Sequence, residues 1–401
     1  MIPTPFRRAV AAALLILSVN ATAIAGDEVR ILVVTNLAGT YSDLAGPGNV
    51  TAARMAIEEF DGRVAGAPVR LLVRDSELSP ETAARELATA HAESPVNMVI
   101  GPISSAVALA VQEYADANDI ITLHSGPSST VFTNEACSPL AVQWGFDTYA
   151  LAQASAAAAT PQNGNDWYFV TADYEFGHDL ERQAAAAVRQ HGGNVVGSTR
   201  IPHPAGEIEE QITEALASGA NVIGLAMAGD DTRRAIQQLY EMGIAADPGR
   251  AAIAMEVFLT DILSLGNYVT SGLRYITSFY WNSNDATRAW ADEFVFREGV
   301  RPTAPQAGVY SAVRHYLRAV DAAGTVDPHA VMAAMQELDV NDGVFTSNGW
   351  IREDGRMMHS LYLVEVMRPS EVTGRQDYLR IVDQVPAAEA FPSLEAGRCR
   401  Y

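Results

Sequence analysis

Val29-Arg30-Ile31-Leu32-Val33-Val34-Thr35 is an almost unbroken branched apolar run, and after it Val50–Phe60 returns apolar residues at helical spacing (Val50, Ala53, Ile57, Phe60). A strand with no wet face, followed by an amphipathic helix, opens a parallel sheet covered on both sides. The unit repeats. Val69–Asp75 reads as the next strand. Ser79-Pro80-Glu81 then starts a helix with a capping hydroxyl, a proline at its first position and an early acid. Val96–Gly101 and Ile120–Leu123 follow as strands around a helix from Ser104 to about Ala117. The rhythm restarts with strands at Trp167–Thr171, Asn194–Arg200, Val222–Ala226, Ala251–Ala254 and Leu273–Ser278. Helices at His178–His191, Glu207–Ser218 and Asp231–Met242 alternate with them. Two βα series of similar length predict an α/β chain of two similarly wound lobes. Gln143–Asp147 reads as a strand crossing between them. Helices at Asp285–Arg297, Gln306–Ala323 and Pro328–Leu338, with a short β segment near Leu361–Val366, close the pattern. The halves are not separated by a low-complexity linker, which fits several short crossings.

Ahead of the first strand lie Arg7 and Arg8, the apolar stretch Ala9–Val19, and Ala23-Ile24-Ala25. This is the charge, length and small-x-small ending of a cleaved secretory signal, too short to span a bilayer. No later stretch reaches the roughly 18 apolar residues that a membrane helix needs. The mature chain, from about Gly26, is expected to be exported, and at about 375 residues it is too long for one core. Net charge is −21, and it falls near −23 without the two signal arginines. So acidic a chain is a poor partner for nucleic acid or anionic lipid. All 27 basic residues are arginine, which excludes a P-loop lysine and Schiff-base or Ser-Lys chemistry. Cys137 and Cys399 are the only cysteines. In an exported chain an even count favours a disulfide over two unrelated thiols; this one would pin the C-terminal tail beside the first crossing.

In open α/β sheets ligands collect beyond the carboxyl ends of the strands. Gly101-Pro102-Ile103-Ser104-Ser105 runs from a strand straight into a helix. Free amides, the positive helix end and the Ser104 and Ser105 hydroxyls there suit a carboxylate, although Ser104 is equally a good cap. His124-Ser125-Gly126-Pro127-Ser128-Ser129-Thr130 holds more hydroxyls than a core leaves unpaired and reads as a polar cradle. In the second half, Asp173-Tyr174-Glu175-Phe176-Gly177 offers Tyr174 or Phe176 to cover an organic ligand. Ala228-Gly229-Asp230 and Glu256-Val257-Phe258 occupy equivalent turns. Glu256, just past an apolar strand, is either a partner for an ammonium group or a solvated acid. The chain has no Gly-x-Ser-x-Gly elbow, no His-Glu-x-x-His pair and no Cys/His set at metal spacing. His124-Ser125 is the one suggestive neighbour pair. Neither an enzyme nor a metal or cofactor site is expected.

Several segments are similar, in order and spacing, to one family. They are Gly39-Thr40-Tyr41 with Gly46-Pro47-Gly48, Ala52–Ile57, Ile100-Gly101-Pro102 with Ser104-Ser105, Asp173–Gly177, Ser218-Gly219-Ala220 and Gln306–Ala312. Over nearly the whole mature chain they resemble the periplasmic leucine/isoleucine/valine-binding protein family, the substrate-binding subunits of ABC importers. The resemblance implies two Rossmann-like lobes with parallel-rich sheets joined by a three-crossing hinge. It also implies a periplasmic monomer that closes on a small carboxylate and presents it to a membrane permease. The crossings fall near Trp144–Asp147, Phe279–Asn282 and Gly343–Thr346. Lobe 1 is then 26–145 with 282–344, lobe 2 is 146–281 with 345–386, and a tail, 387–401, returns toward lobe 1. Carried over by position, ligand contacts fall on Ser105, Gly126 and Ser128, and on Tyr174 or Phe176, Ala228 and Glu256. Glu256 stands a residue or two from the family's acid. Ala45 occupies the place where some relatives carry a side-chain-sensing aromatic. The cysteine pair and the Asp-Tyr-x-Phe-Gly turn look most like a subgroup that includes binders of aromatic and other carboxylic acids. Amino acids, branched-chain ones among them, and organic acids therefore both stay open, as does a sensor subunit in place of a transport one.

Overall fold

The computed structural model describes residues 28–244 and 249–399, and the expected signal, 1–25, lies outside them. β1 (Val29–Thr35) sits inside a six-stranded sheet with β2 (Arg63–Val64), β3 (Ala67–Asp75), β4 (Met98–Ile100), β5 (Ile121–His124) and β6 (Ala141–Gln143). The order is β2-β3-β1-β4-β5-β6, parallel except where β2 folds back on β3. Alternate residues of β1 face opposite ways. Ile31 and Val33 join one buried cluster with α1 (Gly46–Glu58), while Leu32 and Val34 join another with α2 (Pro80–Glu93) and α3 (Ser105–Asp116). Burying each such side chain contributes about 1.5–3 kcal/mol, so the sheet gains from both coats. α2 begins as its sequence predicts, with Ser79 Oγ accepting from the Thr82 amide at 3.1 Å and Pro80 in the first turn.

The second lobe repeats the winding. β7 (Asp166–Ala172), β8 (Asn194–Ile201), β9 (Val222–Ala226) and β10 (Ala251–Ala254) form a parallel sheet ordered β10-β9-β7-β8. In each lobe the sheet grows first to one side of its opening strand and then to the other. Both therefore offer a switch-point crevice at their carboxyl ends. α4 (Thr148–Asn163), α5 (Glu175–Gln190), α6 (Glu209–Ala217), α7 (Asp230–Glu241) and α8 (Leu259–Leu265) accompany this sheet. After β11 (Arg274–Thr277) the chain returns through α9 (Asp285–Glu298), α10 (Ala304–Ala323), packed on α1, and α11 (Pro328–Glu337). The hairpin of β12 (Trp350–Ile351) and β13 (Met357–Met358) follows. β14 (Leu361–Val366) then pairs antiparallel with β11 and with β15 (Leu379–Val385), and α12 (Ala387–Ala390) opens the tail.

Around the expected third crossing, Gly343–Thr346, the chain makes bridges on both sides. Val340 bridges Gly349, Gln143 bridges Arg356, and the Gln143 amide donates to Gly355 O at 2.8 Å. These bonds hold Gly355 and Arg356 beside β6. Cys137 and Cys399 are disulfide-bonded, with Cα atoms 5.6 Å apart, and the Arg398 amide donates to Asn134 Oδ1 at 2.9 Å. The tail thus returns to the first lobe. The bond joins residues 262 apart in sequence. Its removal in Cys137→Ser/Cys399→Ser is expected to cost about 2–5 kcal/mol by freeing the unfolded chain. A thermal melt reads this as a drop of several degrees, and an unchanged melt would contradict it.

Candidate functional site

Loops after β1, β4 and β5 meet loops after β7, β9 and β10 around one cavity. Tyr41, Leu44, Ile103, Ser105, Gly126 and Ser128 form its first-lobe wall; Tyr174, Phe176, Ala228, Glu256 and Phe258 form the other. The lobes are shut far enough that the cavity measures about 10 Å³, room for about one water. Seven of the eight residues singled out in the sequence line this space. Ser104 does not: it is the N-cap of α3, with its hydroxyl free of any capping bond. Ile103 and Phe258 lie in loops already marked by their polar neighbours, and Tyr41 lies in the Gly39-Thr40-Tyr41 motif. Leu44 carries no such signal.

On the first-lobe side, the loops after β4 and β5 touch. A Cβ on Gly126 would lie 2.8 Å from Ile103 Cδ1 and 3.0 Å from Pro102 O, so only glycine lets them meet. Ser105, in the first turn of α3, accepts from the Ser129 amide at 3.2 Å. The amides of that turn have no partner within the helix, and they carry its positive end to the cavity wall. Ser128 Oγ donates across the cleft to Glu256 Oε1 at 2.7 Å. Glu256 is 4% exposed. Burial pushes its carboxyl up to about 8; the Ser128 hydrogen bond opposes the rise and Asp261 adds to it. No basic side chain is found among the lining residues.

The second wall is aromatic. Tyr41 reaches over from the first lobe so that its hydroxyl lies 3.1 Å from that of Tyr174, and His203 stacks on both rings. Gly229, at φ +60°, makes this reach possible, because a Cβ there would stand 2.4 Å from Tyr41 Cε1. Tyr41 thereby supplies an aromatic wall that Ala45 cannot. Arg233 binds Asp230 and Asp261 in its own lobe and Asp43 in the other. His124 Nε2 donates to Gln112 Oε1 at 2.7 Å, and burial holds the imidazole down to about 3. It is therefore a neutral core group bonded to Gln112 and is no base for Ser125. Among the described residues no group of three His, Cys, Asp or Glu is placed to hold a metal. No described helix is long and apolar enough to cross a membrane.

The model of a family of periplasmic binding proteins matches residues 28–371. The chain belongs to the periplasmic binding protein family. A periplasmic binding protein from Burkholderia mallei is 35% identical, with 93% of this chain and 98% of that one covered and a TM-score of 0.90. A branched chain amino acid ABC transporter periplasmic ligand-binding protein from Burkholderia xenovorans is 29% identical, covering 92% and 99%, with a TM-score of 0.81. An ABC transporter solute-binding protein from R. palustris, solved with benzoate, shares the fold at 17% identity, covering 93% and 100%, with a TM-score of 0.79. No curated protein matches. Periplasmic binding proteins bind small molecules and work with ABC permeases, and the two-lobe, parallel-rich architecture expected from the sequence is the one found here.

Proposed function

We infer that this periplasmic binding protein captures a free amino acid and delivers it to an ABC importer in the membrane. The observation that carries the reading is Glu256, a buried carboxyl with no basic side chain in its cavity. A buried acid needs a cation or a proton, and an ammonium group is a cation of the right size. Opposite it stand Ser105, Ser128, the Gly126 loop and the start of α3, a donor set suited to a carboxylate. Together they fit a zwitterion, with Leu44, Ile103 and Phe258 around the remainder. A benzoate-like acid brings no cation to pair with an ionised Glu256, which favours the amino acid over an organic acid.

Both halves of the cleft come from one chain, so a monomer suffices. The lobes, 28–145 with 282–358 and 146–281 with 361–385, would swing about crossings near 144–147, 279–282 and 358–361. A ligand touching both lobes favours the closed form, helped by Tyr41–Tyr174 and Arg233–Asp43. Such work belongs in the periplasm, after signal cleavage near Ala25. The test is calorimetry and thermal shift of the mature protein against the amino acids, their 2-hydroxy analogues and benzoate. At least one amino acid is expected to raise the melting temperature, adding about 2.7 kcal/mol at 100 times its Kd. Equal binding of the 2-hydroxy analogue, or no response to any amino acid, would overturn the reading.

A further inference from the structure

Gly126 and Ser128 also wall a second space on the hinge side of the cleft, closed by Ser125, Gly145, Phe146, Ser278 and the start of α10 at Ala304; as the lobes stand it has no room for a water. Two hydroxyls stand out here. Ser125 is 6% exposed and Ser278 1%, and neither oxygen has a hydrogen-bond partner. They arrive from different elements, Ser125 directly after β5 and Ser278 directly after β11, at the second crossing. A buried hydroxyl left unpaired is costly, so two of them around one space leave donors for a polar group that reaches them as the lobes part. Gly308, in α10, keeps room beside them, since a Cβ there would lie 3.0 Å from Ser125 Cβ. α10 is 20 residues long and begins at this wall, and its positive end favours an oxygen carrying negative charge. No charged side chain lines the space, so an electron-rich oxygen meets donors without a competing acid.

The second space shares Gly126 and Ser128 with the cavity assigned above to the ligand's main-chain groups. A side chain leaving that cavity toward the hinge meets Ser125 and Ser278 next. Resting on the amino-acid reading, we propose that Ser125 and Ser278 form a side-chain subsite for a hydrogen-bonding oxygen. The ligand is then an amino acid ending in a carboxylate, carboxamide or hydroxyl, in preference to a branched aliphatic one.

The experiment compares the mature protein with Ser125→Ala, Ser278→Ala and the double variant. Calorimetric titrations use glutamate, glutamine, asparagine and serine against leucine, norleucine and valine. The wild type is expected to bind its best oxygen-bearing ligand at least tenfold more tightly than the aliphatic amino acid of similar size. The double variant is expected to lose at least tenfold of that preference while aliphatic binding holds or tightens. Its ligand-free melting temperature should match or exceed the wild type, because two unpaired hydroxyls have been removed; if it fails to fold, the single variants carry the comparison. Aliphatic binding equal to polar binding in the wild type would overturn the proposal. So would an unchanged preference in the variants, the result expected if the hydroxyls bond only to water. A wild type that binds no amino acid defeats the functional reading itself. Binding that is lost in Glu256→Gln but indifferent to both serines defeats the subsite alone.

Discussion

Glu256→Gln is expected to weaken amino-acid binding by about 100-fold or more and to abolish its pH dependence. Removing one partner of a buried, hydrogen-bonded charge pair costs about 2–5 kcal/mol, and about 2.7 kcal/mol already amounts to 100-fold. The pH dependence follows from the elevated carboxyl. With its pKa at about 8, Glu256 holds a proton in about nine molecules of ten at pH 7. An ammonium group binds the ionised form, so capture at pH 7 releases close to one proton. Affinity then rises about tenfold per pH unit up to about pH 8, where it levels off. Titrations in buffers of different ionisation enthalpy count the released protons directly. Zero release in the wild type would remove Glu256 as the ammonium's partner. The same group shapes ligand-free stability with a definite sign. Its folded pKa lies above the ordinary 4.5, so the folded state holds the proton more tightly than the unfolded chain. That contribution is full below about pH 4.5, declines as pH rises, and is gone above about 8. Glutamine does not titrate, so the variant should gain on the wild type across that window.

Where the chain's own pattern is local and strong, the sequence was sufficient to read it. Val29–Thr35 announces a doubly covered strand because nothing in it tolerates water, and Ser79-Pro80 announces a helix start through chemistry confined to four residues. Glu256 was visible for a similar reason, as an acid directly beyond an apolar strand. α4 was hidden because alanine on every side leaves no apolar stripe, and its cap Asp147 fell in a stretch already read as a crossing strand. β15 was hidden because most of its residues are exposed and alternate with nothing buried. The Gln143↔Arg356 bridge was not legible because it joins residues more than two hundred apart, a distance at which no local signal operates. Tyr41 illustrates the same limit within the site. Its place is set by Gly229 and His203 on the opposite lobe, so its role exists only once the halves meet.

Arg356→Met is expected to destabilise the protein by about 3–5 kcal/mol, and by more at pH 8 than at pH 5. Arg356 is fully buried in the β12–β13 hairpin, where its Nη2 donates to Gly145 O and its Nε to Met357 O at 3.2 Å. Nη1 stands 3.6 Å from Asp147 Oδ2, and the guanidinium lies 4.2 Å over the Phe391 ring. One side chain thus ties the first crossing, the approach to the third and the tail. Asp147, in turn, caps α4 by accepting from the Ala150 amide at 2.9 Å. Burial pushes Asp147 up to about 6 while Arg356 pulls it back, and burial draws Arg356 down to about 10. An acid raised above its ordinary 3.8 favours folding only while protonated, so its penalty grows as pH climbs from 3.8 and is complete near 6. Without Arg356 the carboxyl rises further, and the penalty keeps growing past pH 6, which widens the gap from wild type toward pH 8. Asp147→Asn keeps a good cap but strands the guanidinium, so it too should destabilise. The double variant should lose less than the two single losses combined, because neither charge is left buried alone. Melting temperatures of the four proteins at pH 5 and pH 8 separate charge from packing. A gap of equal size at both would assign the contribution of Arg356 to its contact with Phe391 instead of its pairing with Asp147.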